Sequence, residues 1–158
     1  MRILTLAFAF MLVSCASKSA KTSDVAVYRA RAGDPAPRIA AFCLAKTGQR
    51  VGNGECWTLA NDAFTSAGAR RPGRDLRVWG RIVTSKESLK PGDVIEFQSA
   101  RFSDGTITGT AHTAVVVKGG NREKFSIAEQ NWGMKTVRLR ETNLNLLVSG
   151  KVRVYRPQ

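Results

Sequence analysis

The sequence predicts an α+β domain in which N-terminal helices pack on an antiparallel β-sheet. Three observations carry that expectation. Two short segments with helical spacing come first, over residues 38–46 and 56–67. Four strand-like segments follow, over 94–98, 112–118, 124–128 and 151–156. The middle two strands are separated by the hairpin-forming Gly119-Gly120-Asn121.

In the first helical segment Ile39, Phe42 and Cys43 stand at i, i+3 and i+4, with Pro37 in front and Gly48 beyond its end. Cys43 is expected in the core. A loop over 48–54 leads to the second helix, where Cys56, Ala60, Ala63 and Ala67 form a face of small residues and Gly68 ends the run. Pro91-Gly92-Asp93 reads as a turn into the strand 94–98, with the proline where no ladder hydrogen bond is required. The hairpin starts one strand at His112 and ends its neighbour near Glu129, so topology puts both at one end of the sheet. Val152 and Val154 share a face of the closing strand.

Upstream, Arg2 and the apolar stretch 3–13 have the layout of an export signal, because eleven residues are too few for a bilayer span of about 20. Leu12-Val13-Ser14-Cys15 resembles the lipobox of bacterial lipoproteins. That resemblance implies a signal over 1–14 and an acylated Cys15 that anchors the chain to a bacterial membrane. With Ala16 and no aspartate after the cysteine, the anchor would sit in the outer membrane facing the periplasm of a two-membrane cell. An ordinary cleaved secretory signal is the alternative. Residues 15–37, rich in Ala, Ser, Lys, Arg and Pro without sustained periodicity, read as a tether. One domain over 38–158 remains, about 120 residues and large enough for a single core.

The whole chain carries 25 Lys and Arg against 12 Asp and Glu, a net +13 that loss of residues 1–14, with Arg2, lowers to +12. Such a charge favours anionic surroundings. With an export signal in front of it, lipid headgroups or wall polymers are the expected partners, and nucleic acid is not.

The chemistry-bearing residues are few. His112 is the only histidine among the 158 residues; Cys56 precedes it in Gly54-Glu55-Cys56-Trp57, and Glu129-Gln130-Asn131-Trp132 follows it. Thiol, imidazole and carboxylate or amide are the parts of a cysteine nucleophile, its base and its orienting group. Cys56 falls at a helix N-terminus, where unpaired amides and the helix dipole favour thiolate over a thiol whose free pKa is about 8.5. Its amide is also placed to donate to an oxyanion. Each residue has a plainer reading. Cys56 can be a buried hydrophobe, His112 a structural strand-edge residue, and Glu129 and Asn131 backbone caps. Under oxidising conditions Cys43 and Cys56 can instead form a structural disulfide. One histidine and scattered cysteines offer no metal-ligand spacing, and no cofactor is expected.

Gly54-Glu55-Cys56-Trp57-Thr58-Leu59-Ala60, Pro91-Gly92-Asp93-Val94-Ile95, His112-Thr113-Ala114-Val115-Val116 and Glu129-Gln130-Asn131-Trp132 together resemble the CHAP domain of the NlpC/P60 group of papain-like cysteine hydrolases. The resemblance covers roughly residues 45–135. It implies a papain-like fold and cleavage of amide bonds in bacterial peptidoglycan, by amidase or endopeptidase action. Matched by motif, Cys56 is the nucleophile, His112 the general base and acid, Glu129 the orienting carboxylate and Asn131 the polar residue near the imidazole. Gln49 stands at a distance before the cysteine broadly like that of the oxyanion glutamine in papain-like proteases. The chain departs from the family pattern at Trp57, which is bulky, and at Arg77-Val78-Trp79-Gly80, which matches the family's tryptophan segment only loosely. The other reading of the resemblance is a catalytically silent lipoprotein that binds wall fragments or a protein partner.

Overall fold

The computed structural model describes residues 33–158. The expected signal over 1–14, Cys15 and the tether up to residue 32 lie outside the described residues. The first helix, α1 (Ala36–Ala45), starts two residues earlier than its apolar spacing suggested. Asp34 Oδ1 accepts the Ala36 amide at 2.9 Å, and Pro37 sits in the first turn, where no amide donor is needed. Its buried residues Ala36, Ile39, Ala40 and Cys43 form one stripe at helical spacing. In α2 (Cys56–Ser66) the buried stripe is Leu59, Ala60, Ala63 and Phe64. Gly68 follows with a φ of +66°, and Ala69 N–H closes back on the Phe64 carbonyl at 2.9 Å, a left-handed ending that glycine adopts without steric cost.

Six strands form one antiparallel sheet: β1 (Arg81–Ile82), β2 (Val94–Phe102), β3 (His112–Lys118), β4 (Phe125–Glu129), β5 (Arg138–Thr142) and β6 (Leu147–Arg156). Their spatial order is β1-β6-β2-β3-β4-β5. The expected central hairpin is present as β3 and β4, with Val115 opposite Ala128 and Val116 opposite Ile127. Strand β2 runs past its expected end at Gln98. Ser99 takes a φ of +46°, the register with β6 shifts between Gln98 and Arg101, and pairing resumes to Phe102. Such a bulge bends the strand while keeping it in the sheet. For the same reason β6 begins at Leu147, before the expected residue 151.

Sequence periodicity missed β1, which is two residues long, and β5, whose polar pattern hides its pairing with β4. Its Arg138 and Arg140 stand opposite Glu129 and Ile127. Leu139, between them, points outward and is 46% exposed.

The sheet is buried on both faces. Val94, Val115, Val117, Ala128 and Tyr155 join Ile39, Cys43, Leu59, Ala63 and Phe64 in the core beneath the helices. Their alternate neighbours Ile95, Phe97, Ala114, Val116, Ile127 and Val154 pack on the other face with Val83, Leu89, Phe102 and Leu144. The two-sided burial explains why β3 reads as a nearly unbroken apolar run. The turn before β2 is pressed against α1: Gly92 has a φ of +91°, and a Cβ there would collide with the Ala36 carbonyl. This packing ties α1 to the end of the sheet where β3 finishes, since the Gly92 amide donates to the Val116 carbonyl at 2.8 Å.

Candidate active site

Two features of the chain bring Cys56 to the start of β3. The loop 51–55 ends in an extended residue, Glu55 (φ −82°, ψ 147°), so Cys56 is the first residue of α2 and points its thiol along the helix N-terminus. The loop is pinned by Gln130, a fully buried side chain immediately after β4. Its Nε2 donates to the carbonyls of Val51 at 3.0 Å and Glu55 at 2.7 Å, and its Oε1 accepts the Val51 amide at 3.2 Å. The Thr113 and Trp57 amides both hydrogen-bond the Cys56 sulfur.

Two-residue periodicity puts His112 and Glu129 on the sheet face away from the helices, alongside Ala114 and Ile127. His112 Nε2 lies 2.9 Å from Glu129 Oε2, and both side chains are buried. The same imidazole hydrogen-bonds Cys56, and with Nε2 engaged by the carboxylate, Nδ1 is the nitrogen left for sulfur. The His112 ring lies tilted against Phe97 at 6.0 Å and meets the Trp132 indole edge-on at 5.2 Å, so its plane is set by aromatic contacts as well as hydrogen bonds.

Glu129 has more partners than the imidazole. Arg138 donates to its Oε1 through Nε at 3.2 Å and Nη2 at 3.0 Å; Arg140 reaches Oε1 at 2.9 Å and Oε2 at 3.3 Å. Both guanidinium groups also lie over the Trp132 ring, at 5.7 and 5.2 Å. Period two along β5 aims these two arginines at one carboxylate.

The electrostatics follow from these contacts. Burial on its own raises the Cys56 thiol, but the hydrogen bond and charge of His112 and the Thr113 and Trp57 amides outweigh it, leaving the thiol below its ordinary value. Burial would depress His112, yet its bonds to Cys56 and Glu129 and their negative charges push the imidazolium up to about 9. Burial would likewise raise Glu129, but His112 and Arg140 hold it down at about 2. All three shifts favour a thiolate beside an imidazolium. Cys43 is the contrast: sunk in the core beneath the helices, its thiol is pushed up to about 12 by burial alone. Both cysteines are free, so the described chain contains no Cys43–Cys56 bridge.

A fourth ionisable group stands behind the thiol. Glu96 on β2 accepts Trp79 Nε1 at 2.6 Å and Thr113 Oγ1 at 2.8 Å through Oε1, while its buried Oε2 has no partner among the described residues. Burial outweighs both bonds and raises its pKa.

The surface above Cys56 is a cleft with two lobes that share Glu55, Cys56 and Ala111. One lobe, of about 380 Å³, is lined by Ile107, Gly109, His112, Asn131, Trp132 and Gly133. The other, of about 450 Å³, is lined by Asn53, Trp57, Thr58, Leu76, Arg77 and Thr113.

Of the residues singled out in the sequence, Cys56, His112 and Glu129 come together and Asn131 lines the cleft beside them. Asn131 is held in a left-handed conformation (φ +63°), and its amide bonds Glu55 Oε2 at 2.6 Å rather than the imidazole. Gln49 is not brought to the cleft. Its side chain turns back to the Ala45 carbonyl at 3.5 Å, and its own carbonyl accepts the Val137 amide, which draws this segment toward β5 instead. Sequence reasoning passed over Gln130, Arg138 and Arg140. For the arginines the available signal was charge at alternate positions of a strand next to a buried glutamate. Among the described residues no group of three or more His, Cys, Asp or Glu side chains gathers to hold a metal, and no helix is long and apolar enough to cross a membrane.

The family model of the AIM3/BBC1 cysteine proteinase-fold domain matches residues 28–158. The chain is 32% identical over 143 residues to "Altered inheritance of mitochondria protein 3" of the yeast Debaryomyces hansenii, across 75% of this chain and 15% of that protein. The chain therefore spans under a sixth of the length of the relative it matches. No solved structure matches it.

These relationships correct the expectation drawn from the CHAP and NlpC/P60 resemblance. The cysteine proteinase fold stands, but the family and the yeast relative overturn a bacterial peptidoglycan hydrolase, and with it the wall-binding silent variant. They equally overturn peptidoglycan as partner, the bacterial lipoprotein anchored through Cys15, and placement at a bacterial outer membrane. The reason is physical. The four short motifs encode a helix N-terminus, two strand starts and a strand end, which any protein of this fold needs, whereas substrate is also chosen by cleft walls such as Leu76, Arg77 and Ile107 that lie outside them.

Proposed function

The chain belongs to the AIM3/BBC1 cysteine proteinase-fold domain family, and from that premise we propose that it is a cysteine-dependent hydrolase of amide or ester bonds, with Cys56 as nucleophile, His112 as base and acid and Glu129 as orienting carboxylate. The observation that carries this reading is the unbroken chain from the Cys56 thiol through His112 to Glu129, with His112 Nε2 and Glu129 Oε2 2.9 Å apart. A buried histidine kept for packing needs neither a carboxylate charged down to about 2 nor a half-exposed thiol at the mouth of a cleft.

In the reaction, the Cys56 thiolate attacks the carbonyl carbon and a C–S bond forms. The amide of Cys56 at the helix N-terminus stabilises the oxyanion. As the tetrahedral species collapses the C–N or C–O bond breaks, and the imidazolium of His112 gives its proton to the leaving amine or alkoxide. Neutral His112 then takes a proton from water, hydroxide attacks the thioester, and the acid leaves with regeneration of the thiolate. Glu129 keeps the ring oriented and favours its cationic form throughout.

The test is acylation by p-nitrophenyl acetate, followed by intact and peptide mass analysis. The expected result is one acetyl group on Cys56, formed in a burst that Cys56→Ala abolishes and His112→Ala slows by roughly 10²-fold or more. Acetylation of Cys56 no faster than that of a free thiol in an unfolded peptide would overturn the proposal.

A further inference from the structure

The two lobes of the cleft differ in charge, and the difference points to the class of substrate. Beside the His112 lobe three cations are engaged by carboxylates. Lys135 pairs with Glu55 at 3.1 Å, and Arg138 and Arg140 are committed to Glu129. The lobe on the other side of Cys56 is lined by Leu76 and Arg77 of the segment 69–78, which carries Arg70, Arg71, Arg74 and Arg77 against the single acid Asp75, while Glu55, common to both lobes, is engaged by Lys135 and Asn131.

This wall has a built rim. The Leu76 carbonyl accepts Trp57 Nε1 at 2.6 Å and Arg71 Nη1 at 3.2 Å, Arg71 lies over the Trp57 ring at 4.7 Å, and the Arg77 amide bonds Asp75 Oδ1 at 2.9 Å. Arg71 is thus consumed in holding the wall. Leu76 and Arg77 are left to line the lobe, with Leu76 60% exposed. The Arg77 guanidinium has no ion pair among the described residues. The acid that feels its charge is the buried Glu96, whose carboxyl burial shifts toward the neutral form.

An exposed leucine, an indole and an exposed guanidinium with no ion pair among the described residues, beside the nucleophile, present an apolar surface with one planar cationic fork, the geometry that takes a carboxylate through two parallel hydrogen bonds. We propose that this lobe selects peptides bearing a carboxylate close to the bond presented to Cys56, with Arg77 as the specificity-determining residue and Trp57 and Leu76 seating the adjoining apolar side chain. The inference rests on the hydrolase reading for the nature of the site but makes its own claim about binding. The carboxylate can come from an Asp or Glu side chain or from a peptide C-terminus.

The experiment measures binding without chemistry, on the full chain carrying Cys56→Ala. Fluorescein-labelled, C-terminally amidated hexapeptides of Ala and Leu with one Glu, Gln or Lys at each position in turn are followed by anisotropy. A Gln set with a free C-terminus separates the two carboxylate sources. At one position or at the free C-terminus, the carboxylate peptide is expected to bind about 10-fold tighter than its neutral counterpart, the scale of one charge-assisted pair. Adding Arg77→Glu should invert the order so that Lys binds best. Arg74→Glu, with the same change in net charge but outside the cleft lining, should preserve it. Equal binding of all peptides, or equal loss with Arg74→Glu and Arg77→Glu, would overturn the proposal in favour of a general attraction to a basic surface. Failure of the hydrolase reading would show instead as acetylation of Cys56 no faster than that of a free thiol in an unfolded peptide, which leaves these binding constants unaffected.

Discussion

Gln130 donates to the Glu55 carbonyl across 75 residues of chain at 2.7 Å, and Glu55 is the residue that caps the helix carrying Cys56. Because Glu129 beside it contacts His112, two consecutive side chains at the end of β4 set both halves of the thiol–imidazole pair: one fixes the imidazole, the other the backbone from which the thiol projects.

Replacing Gln130 by Leu keeps the volume but strands the Val51 amide and carbonyl in the interior. Each orphaned group costs about 1–3 kcal/mol, so a clear loss of stability in urea denaturation is expected. The residue also acts on chemistry through position. Acetylation of Cys56 should slow by roughly 10²-fold in protein that is still folded, since displacement of a reacting group by about 1 Å costs that much. Retention of the native acetylation rate in folded Gln130→Leu would show that the loop holds its place without this side chain.

The single histidine makes its titration directly visible as one imidazole resonance in the proton NMR spectrum. The folded value is expected near 9, above the unfolded value of about 6.5. A raised value means that the interaction stabilises the fold fully below the unfolded pKa and that this contribution is lost as pH rises through about 9. In Glu129→Gln the carboxylate that favours the imidazolium is gone while Arg138 and Arg140 remain, so the midpoint should fall. The alkaline limb of Cys56 acetylation should fall with it. A midpoint unchanged in Glu129→Gln would remove the carboxylate from the account of the site.

Glu96 titrates in the opposite sense from Glu129. Its folded pKa is raised, so the folded state holds the proton more firmly, and stability present at low pH is lost as pH rises through the folded value. Glu96→Gln removes that dependence while leaving an acceptor for Trp79 and Thr113. Relative to the native protein, the variant should therefore gain stability between pH 4 and pH 8, by calorimetry or chemical denaturation. A difference that stays constant over this range would place the ionised carboxylate on a partner outside the contacts described.

Much of this architecture is legible from local pattern. The stripe of Ile39 and Cys43, the α2 segment ending before Gly68, the strand beginning at His112 and the hairpin through Gly119-Gly120 all follow from spacing and turn chemistry, which act between residues close in sequence. Even the meeting of His112 and Glu129 is a property of one hairpin. The extension of β2 past Ser99 was not legible, because a bulge shows its purpose only when the partner strand is present. Gln49 misled for a related reason: distance along the chain from Cys56 resembled that of an oxyanion donor, but pairing of its backbone with Val137 turned it away.

Side-chain type and short-range periodicity make both helices, four of the six strands and the residues able to do nucleophilic chemistry legible without the fold. Which groups surround those residues is settled by folding. Gln130 reaching back to Val51 and Glu55, the two β5 arginines converging on Glu129, Glu96 lodged behind Thr113, and Arg77 brought to the cleft beside Cys56 all join distant parts of the chain. Charge and hydrogen bonding act through space, so how each pKa moves and which substrate charge is favoured are set by neighbours that folding, not sequence proximity, brings together.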